Sequence, residues 1–264
     1  MYDFTYHKPT SVADAVALLG KAEDGKLMAG GMTLIPTLKQ RLARPSDLID
    51  LGGVSGLAGI RREGNAVVIG AMTTHAAVAH SAEVKAAIPA LAALAEGIGD
   101  PQVRHRGTIG GSIANNDPAA DYPGALVALG ATVTTNQRTI PADQFFTGMF
   151  ETALGEGEIV QSVSFPIPEK AAYMKFRNPA SRYAIVGSFV AKGPSGTRVA
   201  ITGAGPTVFR WKEAEAALGG SFAAAAVEKL KAPADGLNSD IHASAEYRAH
   251  LVGVMTKRAV AAAG

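Results

Sequence analysis

The sequence predicts an α+β protein built from three successive units. The first fifty-odd residues alternate short strand and helix patterns, and the middle of the chain adds apolar strand patterns to alanine- and leucine-rich helical runs. In the last hundred residues the order changes, because three strand patterns are followed by three helical ones. We therefore place the units at residues 1–55, 56–168 and 169–264.

Composition excludes several classes of protein. The chain has 264 residues, of which 47% are hydrophobic and 18% charged, as in an ordinary globular protein. Its 25 Lys and Arg residues nearly balance 23 Asp and Glu and are scattered, so the net charge of +2 offers no basic face for nucleic acid. No apolar run approaches the ~20 residues of a membrane span, and the first residues lack a signal-peptide pattern. We expect a cytoplasmic protein.

The chain has no cysteine. This excludes disulfides, thiolate nucleophiles and iron–sulfur ligation together, so any redox centre in this polypeptide must be organic. Its six histidines form no H-E-x-x-H pattern, so we expect no metal site and mostly exposed histidines.

In the first unit, apolar residues at every third or fourth position indicate a helix that begins after Ser11 and closes at Gly20. Around it, short apolar runs predict three strands and a second helix. These are strands Phe4–Tyr6, Lys26–Ala29 and Asp47–Leu51 and helix Thr33–Leu42.

The second unit combines a predicted strand pair, three helices and two later strands. The pair is Leu57–Arg61 and Ala66–Gly70; the helices are Thr74–His80, Val84–Ile98 and Ala120–Leu129; the strands are Ala131–Thr135 and Gly157–Phe165. Because Pro166 follows the last strand, we expect that strand at an edge of the sheet.

The third unit should be an antiparallel sheet covered by helices. Its strands are predicted at Ala172–Arg177, Tyr183–Lys192 and Arg198–Gly203, with a hairpin turn at residues 194–196. A last helix, Ala245–Ala263, carries a stripe that we expect on the sheet, formed by Tyr247, Leu251, Val254, Met255 and Arg258.

A first glycine loop lies between a predicted strand and a predicted helix. It reads Ala29-Gly30-Gly31-Met32-Thr33. Thr33 is placed to cap the helix and Pro36 lies in its first turn. Open N–H groups at such a turn can bind an anion such as phosphate.

A second, longer glycine-rich stretch runs from Arg104 to Pro118 between two predicted helices, and we expect it to be a loop. Gly107, Gly110 and Gly111 lack a Cβ, so the backbone can approach a ligand and turn its N–H groups to an anion. We expect Gly110→Asp to block such binding without unfolding the chain. A glycine pair alone is more typical of a plain surface turn than of a binding site.

Two such loops, far apart in sequence, could hold the two phosphates of a dinucleotide from both sides. Neither loop is a G-x-G-x-x-G fingerprint or a G-x-x-x-x-G-K-[ST] loop, so nothing indicates a Rossmann unit or a P-loop.

At this point the chain resembles a known family. The motifs are A-G-G-x-[ST] near residue 30, R-x-R-G-T-I-G-G-x-x-[AC]-x-x-D-P near residue 110, Asp121, Phe145-Phe146-x-Gly148, Gly157-Glu158-Ile159, and Tyr247-Arg248 with Arg258-Ala259. Together they resemble the FAD-binding medium subunit of molybdenum hydroxylases, in the xanthine dehydrogenase and carbon monoxide dehydrogenase medium chain family. The resemblance covers nearly the whole chain. It implies a two-subdomain FAD-binding fold of the vanillyl-alcohol oxidase type, followed by the family's C-terminal domain.

The resemblance also implies cofactor-binding residues. The pyrophosphate would lie against two segments: Ala29, Gly30, Gly31, Met32, Thr33 and Thr108, Ile109, Gly110, Gly111, Ser112. Asp121 would accept hydrogen bonds from ribityl or ribose hydroxyls, and Ile109 would pack near the flavin ring. Contacts to the flavin would come from Val160, Arg177 and Tyr183, the last shielding one ring face.

Some positions depart from the family or have plainer interpretations. Met32 replaces a histidine of some relatives, and Arg177 stands where a relative has lysine. Asp121 is also typical of a helix cap, and a tyrosine that starts a strand, such as Tyr183, is typical of a core residue.

The function implied is electron transfer. FAD in this chain would take electrons from iron–sulfur clusters of a partner and pass them to NAD, a quinone or another soluble acceptor. Molybdopterin would lie in a large partner subunit and [2Fe-2S] clusters in a small one, leaving no catalytic or metal-ligating residue here. The alternatives are a self-contained flavin-dependent oxidase or reductase of the same fold, and a nucleotide-binding scaffold without redox chemistry.

Overall fold

The computed structural model describes residues 1–194 and 196–264, and its first sheet is a small parallel one in the order β1-β3-β2. Parallel strands need crossover connections, which the two helices supply. The elements are β1 Thr5–His7, α1 Val12–Leu19, β2 Gly25–Met28, α2 Leu34–Lys39 and β3 Asp47–Asp50. Ser11 caps α1 as predicted, because its hydroxyl accepts the N–H of Asp14. Helix α2 is shorter than predicted at both ends.

The second sheet is antiparallel and five-stranded, in the order β4-β5-β10-β6-β7. Its strands are β4 Ile60–Glu63, β5 Ala66–Gly70, β6 Thr132–Thr135, β7 Thr139–Pro141 and β10 Val160–Pro166. Between them lie α3 His75–His80, α4 Ala82–Ala87, α5 Pro89–Glu96, α6 Pro101–Arg106, α7 Ile109–Asn115, α8 Tyr122–Leu129, α9 Ala142–Phe145 and a hairpin of β8 Phe146–Gly148 and β9 Glu151–Thr152.

Three predictions for this unit were wrong. The helix expected at 84–98 is broken in two, because Pro89 forces Ile88 out of the helical conformation. Strand β10 is central, pairing with both β5 and β6, since Pro166 is its last residue and costs no interior ladder bond. The stretch expected as a loop between Arg104 and Pro118 is largely the helices α6 and α7.

The third sheet is antiparallel in the order β11-β12-β13-β14. The elements are β11 Lys170–Arg177, β12 Ala184–Gly193, β13 Gly196–Thr202, β14 Phe209–Arg210, α10 Lys212–Gly220, α11 Ala224–Val227 and α12 Ala245–Ala263. Gly193 pairs with Gly196, and Ser195 of the predicted hairpin turn lies outside the described residues. The α+β fold class is confirmed.

Helix α8 joins the second sheet's core to the third sheet. All eight of its residues are buried, as expected of a helix that is apolar on every face. It packs on β12 and β13, so that Phe189 and Ala200 of the third sheet share one core with the second unit. This position places Asp121, the residue before the helix, at the junction of the two units.

Helix α12 packs on β11 and β12 through part of the predicted stripe, because Leu251 and Met255 are buried in the core and Val254 packs against it. Tyr247 and Arg258 are exposed, whereas Arg248 and Thr256 are buried. Thr256 shares a hydrogen bond of 2.8 Å with Ser188, and the Arg248 guanidinium donates to the carbonyls of Ile185 and Gly203. The buried face thus includes Arg248 and Thr256 where the stripe predicted Tyr247 and Arg258, because polar side chains that find partners can occupy a buried face.

Most histidines are exposed, as expected, but one is buried. His75 begins α3, is only 5% exposed, and donates its backbone N–H to the carbonyl of Gly107 at 2.9 Å. Burial, reinforced by the charge of Arg104, lowers the pKa of the imidazole to about 4. The ring is therefore neutral at physiological pH.

Among the described helices, none combines the length and apolar character that a bilayer span requires.

Arg248→Leu should lower the free energy of unfolding by about 2–4 kcal/mol, because it leaves two buried carbonyls without a donor. Arg258→Leu, an exposed change on the same helix, should shift it by less than about 0.5 kcal/mol. Urea denaturation followed by circular dichroism measures both. Equal effects of the two substitutions would mean that Arg248 does not anchor α12 to the sheet.

His75→Phe should change how stability depends on pH. In the unfolded chain His75 takes up a proton below its ordinary pKa of 6.5, whereas in the folded chain it does so only near pH 4. The stability that the neutral ring contributes is therefore complete above pH 6.5 and is lost as the pH falls toward 4. Between pH 7.5 and 4.5 the parent should lose about 2–3 kcal/mol more than His75→Phe. Urea unfolding at the two pH values measures this, with His105→Phe, an exposed histidine, as the control. If the parent and His75→Phe lost the same free energy of unfolding between the two pH values, the neutral buried imidazole would be contradicted.

Candidate functional site

A cavity of about 600 Å³ opens where the three units meet, within the size range of ligand sites in proteins. Its wall combines the first glycine loop, the start of α7, the residue before α8 and the segment that precedes β12. All but two of the predicted cofactor-binding residues line it: Ala29, Gly30, Gly31, Met32, Thr33, Thr108, Gly110, Gly111, Ser112, Asp121, Val160 and Tyr183. The exceptions are Ile109 and Arg177.

The first glycine loop offers open hydrogen-bond donors. Within the described chain, the N–H groups of Gly30, Gly31, Met32 and Thr33 have no acceptor. Gly31 has φ +73°, a left-handed conformation that glycine adopts without strain. Thr33 lies at the helix start but makes no side-chain capping bond, so that predicted role is wrong and its hydroxyl stays available. Consecutive open N–H groups of this kind form an anion-binding concavity.

The second glycine segment is differently built, and its predicted open N–H groups are already used. The N–H of Ile109 donates to the carbonyl of Thr73 at 3.1 Å, and that of Gly110 to the carbonyl of Ala71 at 2.8 Å. Thr108 caps α7, because its hydroxyl accepts the N–H of Gly111 at 3.1 Å. This segment therefore supplies a closely packed wall instead of a row of free donors.

The glycines are required by packing between backbones. A Cβ on Gly30 would lie 1.9 Å from the carbonyl oxygen of Arg106, and one on Gly110 would lie 2.7 Å from that of Ala71. One on Gly111 would lie 3.2 Å from the Cβ of Ala29, so the two glycine segments are in contact. The expectation that Gly110→Asp leaves the fold intact is therefore wrong: Gly110 is buried against backbone that cannot move away.

Asp121 lies in the cavity wall with its carboxylate 4% exposed. It does not cap α8, so the plainer interpretation fails. Instead it accepts hydrogen bonds from the Tyr173 hydroxyl and from Lys175 Nζ, the latter at 3.0 Å. Burial raises the pKa of this carboxyl, and Lys175 opposes the rise.

The structure does not bring the two exceptions to the cavity. Ile109 is fully buried in the core of the second unit and is absent from the cavity wall. Arg177 is exposed at the end of β11 and is absent from the cavity wall. Lys175, two residues earlier and therefore on the same strand face, is the cation that reaches Asp121. The sequence signal that could have found it is a lysine inside an otherwise apolar strand.

Tyr183 lies at the rim of the cavity and is 47% exposed, so it is not a core residue. The preceding turn is fixed by Asn178, whose side-chain oxygen accepts the N–H groups of Ala180 and Ser181. Arg182 has φ +62° and donates to the carbonyl of Gly99 at 3.3 Å across the rim. A half-exposed aromatic ring at this place can stack on a flat ligand.

The wall residues to which sequence reasoning gave no role include Glu158, named only within a family motif, and His75. The Glu158 carboxylate is 1% exposed and accepts hydrogen bonds from Arg138, Thr135 and the N–H of Gly155. Arg138 and these donors lower its pKa to about 2. Glu158 thus fixes the segment that leads into Val160.

The arrangement as a whole combines open N–H donors, a buried carboxylate and an exposed aromatic rim. These groups fit a ligand that carries phosphate, sugar or ribityl hydroxyls and a flat ring, as FAD does. Among the described residues no group of His, Asp or Glu side chains could hold a metal ion.

Comparison with known proteins agrees with this geometry. Residues 2–168 match the family model described as "FAD binding domain in molybdopterin dehydrogenase", and residues 171–263 match "CO dehydrogenase flavoprotein C-terminal domain". The carbon monoxide dehydrogenase medium chain of Hydrogenophaga pseudoflava is 39% identical over 98% of this chain and 96% of its own length. The nicotine 6-hydroxylase medium subunit of Paenarthrobacter nicotinovorans is 38% identical over 98% and 96%.

Solved structures give the same result at the level of the fold. Carbon monoxide dehydrogenase from Hydrogenophaga pseudoflava superposes with a TM-score of 0.89 at 40% identity, covering 99% of this chain and 97% of the other. Two family models that together span nearly all residues, and full-length relatives of this similarity, confirm the resemblance. The chain belongs to the family of FAD-binding medium subunits of molybdenum hydroxylases.

Proposed function

We propose that this chain holds FAD in the 600 Å³ cavity and serves as the electron-transfer subunit of a heteromeric molybdenum hydroxylase. Electrons would arrive from [2Fe-2S] clusters of a small partner and leave to a soluble acceptor such as NAD or a quinone. The observation that carries the proposal is the row of four open N–H groups from Gly30 to Thr33, facing no acceptor within the described chain. Open donors of this kind can bind an anion, and FAD has a pyrophosphate.

The residues of the wall have separate tasks in this proposal. The N–H groups of Gly30 to Thr33 hold the pyrophosphate, with the side chains of Thr33 and Ser112 as further donors. Asp121 accepts hydrogen bonds from hydroxyls of the ribityl chain or ribose. Tyr183 covers one face of the ring at the rim, and Val160 lies in the wall beside it.

When bound, FAD supplies redox chemistry that links one-electron donors to two-electron acceptors. The chain contributes position, shielding and charge. Arg177, to which the sequence assigned a flavin contact, lies outside the cavity wall, and Lys175 reaches that wall through Asp121. Ile109 contributes only through the core beneath the wall.

Substrate oxidation would take place on molybdopterin in a large partner subunit. The chain itself has no cysteine for iron–sulfur ligation, which agrees with a division of labour among subunits. The alternative, a self-contained flavin oxidase or reductase, needs an acid or base at the ring. Asp121 and Glu158, the two carboxyls of the cavity wall with shifted pKa, are already held by protein partners.

Ser112→Asp should weaken FAD binding at least tenfold. Ser112 lines the cavity on the side of the glycine segments, and a carboxylate there would repel the pyrophosphate at close range. Titration of apo-protein with FAD, followed by flavin fluorescence, measures the affinity.

The matched control is Ser55→Asp, an exposed serine outside the cavity, which should bind FAD like the parent. Circular dichroism confirms that both variants fold. A folded Ser112→Asp that binds FAD with parental affinity would place the pyrophosphate elsewhere.

Purification of the native protein should yield a complex with a large molybdenum-containing and a small iron–sulfur subunit. Metal analysis and the visible spectrum of the complex measure the cofactors. A native sample that consists of this chain alone and oxidises substrate unaided would favour the self-contained flavoenzyme. A colourless complex would favour the nucleotide-binding scaffold.

A further inference from the structure

A buried polar cluster crosses from the third unit to the cavity wall. Lys175 Nζ lies 3.0 Å from the Asp121 carboxylate and 2.9 Å from the carbonyl oxygen of Gly97, and the Tyr173 hydroxyl donates to Asp121 Oδ1. The side chains of Lys175 and Asp121 are each only 4% exposed. Asp121 belongs to the cavity wall, whereas Lys175 and Tyr173 are on β11 behind it.

Lys175 is the group that compensates the buried carboxylate. A carboxylate removed from water costs several kcal/mol unless a cation and hydrogen bonds replace its solvation. The other groups that face Asp121 are Arg177 on the same strand, Tyr122 of α8 and Tyr183 at the rim. Of these, Arg177 also favours the charged carboxylate, but within the described chain only Lys175 forms an ion pair with it.

The cluster also restricts the direction of the carboxylate. Tyr173 donates to Oδ1 and Lys175 Nζ lies 3.0 Å from both oxygens, while Lys175 is itself fixed by the carbonyl at the end of α5. Because a carboxylate oxygen has two lone pairs, Oδ2 keeps acceptor capacity for a hydroxyl in the cavity. A carboxylate oriented in this way needs no rearrangement to accept such a bond.

We propose that Lys175 is a positioning residue of the cofactor site, which keeps the Asp121 carboxylate charged and oriented toward the hydroxyls of the bound dinucleotide. The inference rests on the proposed function, because it takes FAD as the occupant of the cavity. Lys175 does not contact the ligand in this arrangement and acts through Asp121. It also links FAD binding to the docking of the third unit on the first two.

A double-mutant cycle separates this role from a merely structural one. The FAD dissociation constants of the parent, Lys175→Met, Asp121→Asn and the double variant are measured on full-length apo-protein by flavin fluorescence at pH 7.5. Each single change should raise the dissociation constant about tenfold, since each removes the same charged acceptor. The double variant should bind no more than about twofold weaker than the weaker single variant.

The pH dependence gives a second readout. Without Lys175 the pKa of the buried Asp121 carboxyl rises. As the pH is lowered, FAD binding by Lys175→Met should therefore begin to weaken at a higher pH than FAD binding by the parent. Asp121→Asn should show no such step. Lys170→Met, an exposed lysine on the same strand, is the control and should match the parent in both readouts.

If Lys175→Met does not fold, Lys175→Gln replaces it, because the amide keeps a donor for the carbonyl of Gly97 while losing the charge. The inference would be overturned if the fold-changes in dissociation constant of the two single variants multiplied in the double variant. It would also be overturned if both Lys175 variants kept the parental affinity and pH profile. A parent chain that fails to bind FAD would overturn the proposed function instead. The two failures are therefore distinguishable.

Discussion

The cavity depends on the contact between two backbone segments that lie far apart in the chain. Gly30, in the turn after β2, lies so close to Arg106 and Gly107 that a Cβ would overlap the carbonyl between them. No side chain fits at such a contact, so glycine at this position lets the small parallel sheet approach the second unit. Because the approach is made by backbone, the turn is held in place while its N–H groups remain open. The rest of the cavity is arranged around this contact.

The two glycine segments have different physical roles although their sequences look alike. In the first, left-handed Gly31 turns the chain and leaves a row of donors without acceptors. In the second, Gly110 lies against Ala71 and donates its N–H to the same residue's carbonyl, so α7 is fixed to the end of β5. One segment is available to an anion and the other supports it. A ligand that binds the first is therefore held against a wall that cannot easily move.

Buried polar groups fix the units and one junction between them. Asp121 with Lys175 links the cavity wall to the third sheet. Within the second unit Glu158 with Arg138 fixes the segment before Val160, and within the third Arg248 ties α12 to the carbonyls of Ile185 in β12 and Gly203 after β13. Each group is satisfied by several partners, as buried charges must be. Such networks specify one arrangement of the units more strictly than apolar packing alone, because a misplaced unit would leave a charge buried without a partner.

The sequence by itself determined the fold class and most strands and helices, and all but two of the cofactor-binding residues that it nominated line the cavity, because hydrophobic periodicity, caps and glycine motifs are local patterns. It misjudged what depends on distant partners. Strand β10 is central because β5 and β6 flank it, α12 buries Arg248 instead of Tyr247 because Arg248 finds two carbonyls, and the N–H of Gly110 is closed by Ala71. Lys175 and His75 were overlooked for the same reason. Whether a polar group is open to a ligand or already paired is decided only when the tertiary structure supplies, or withholds, its partner.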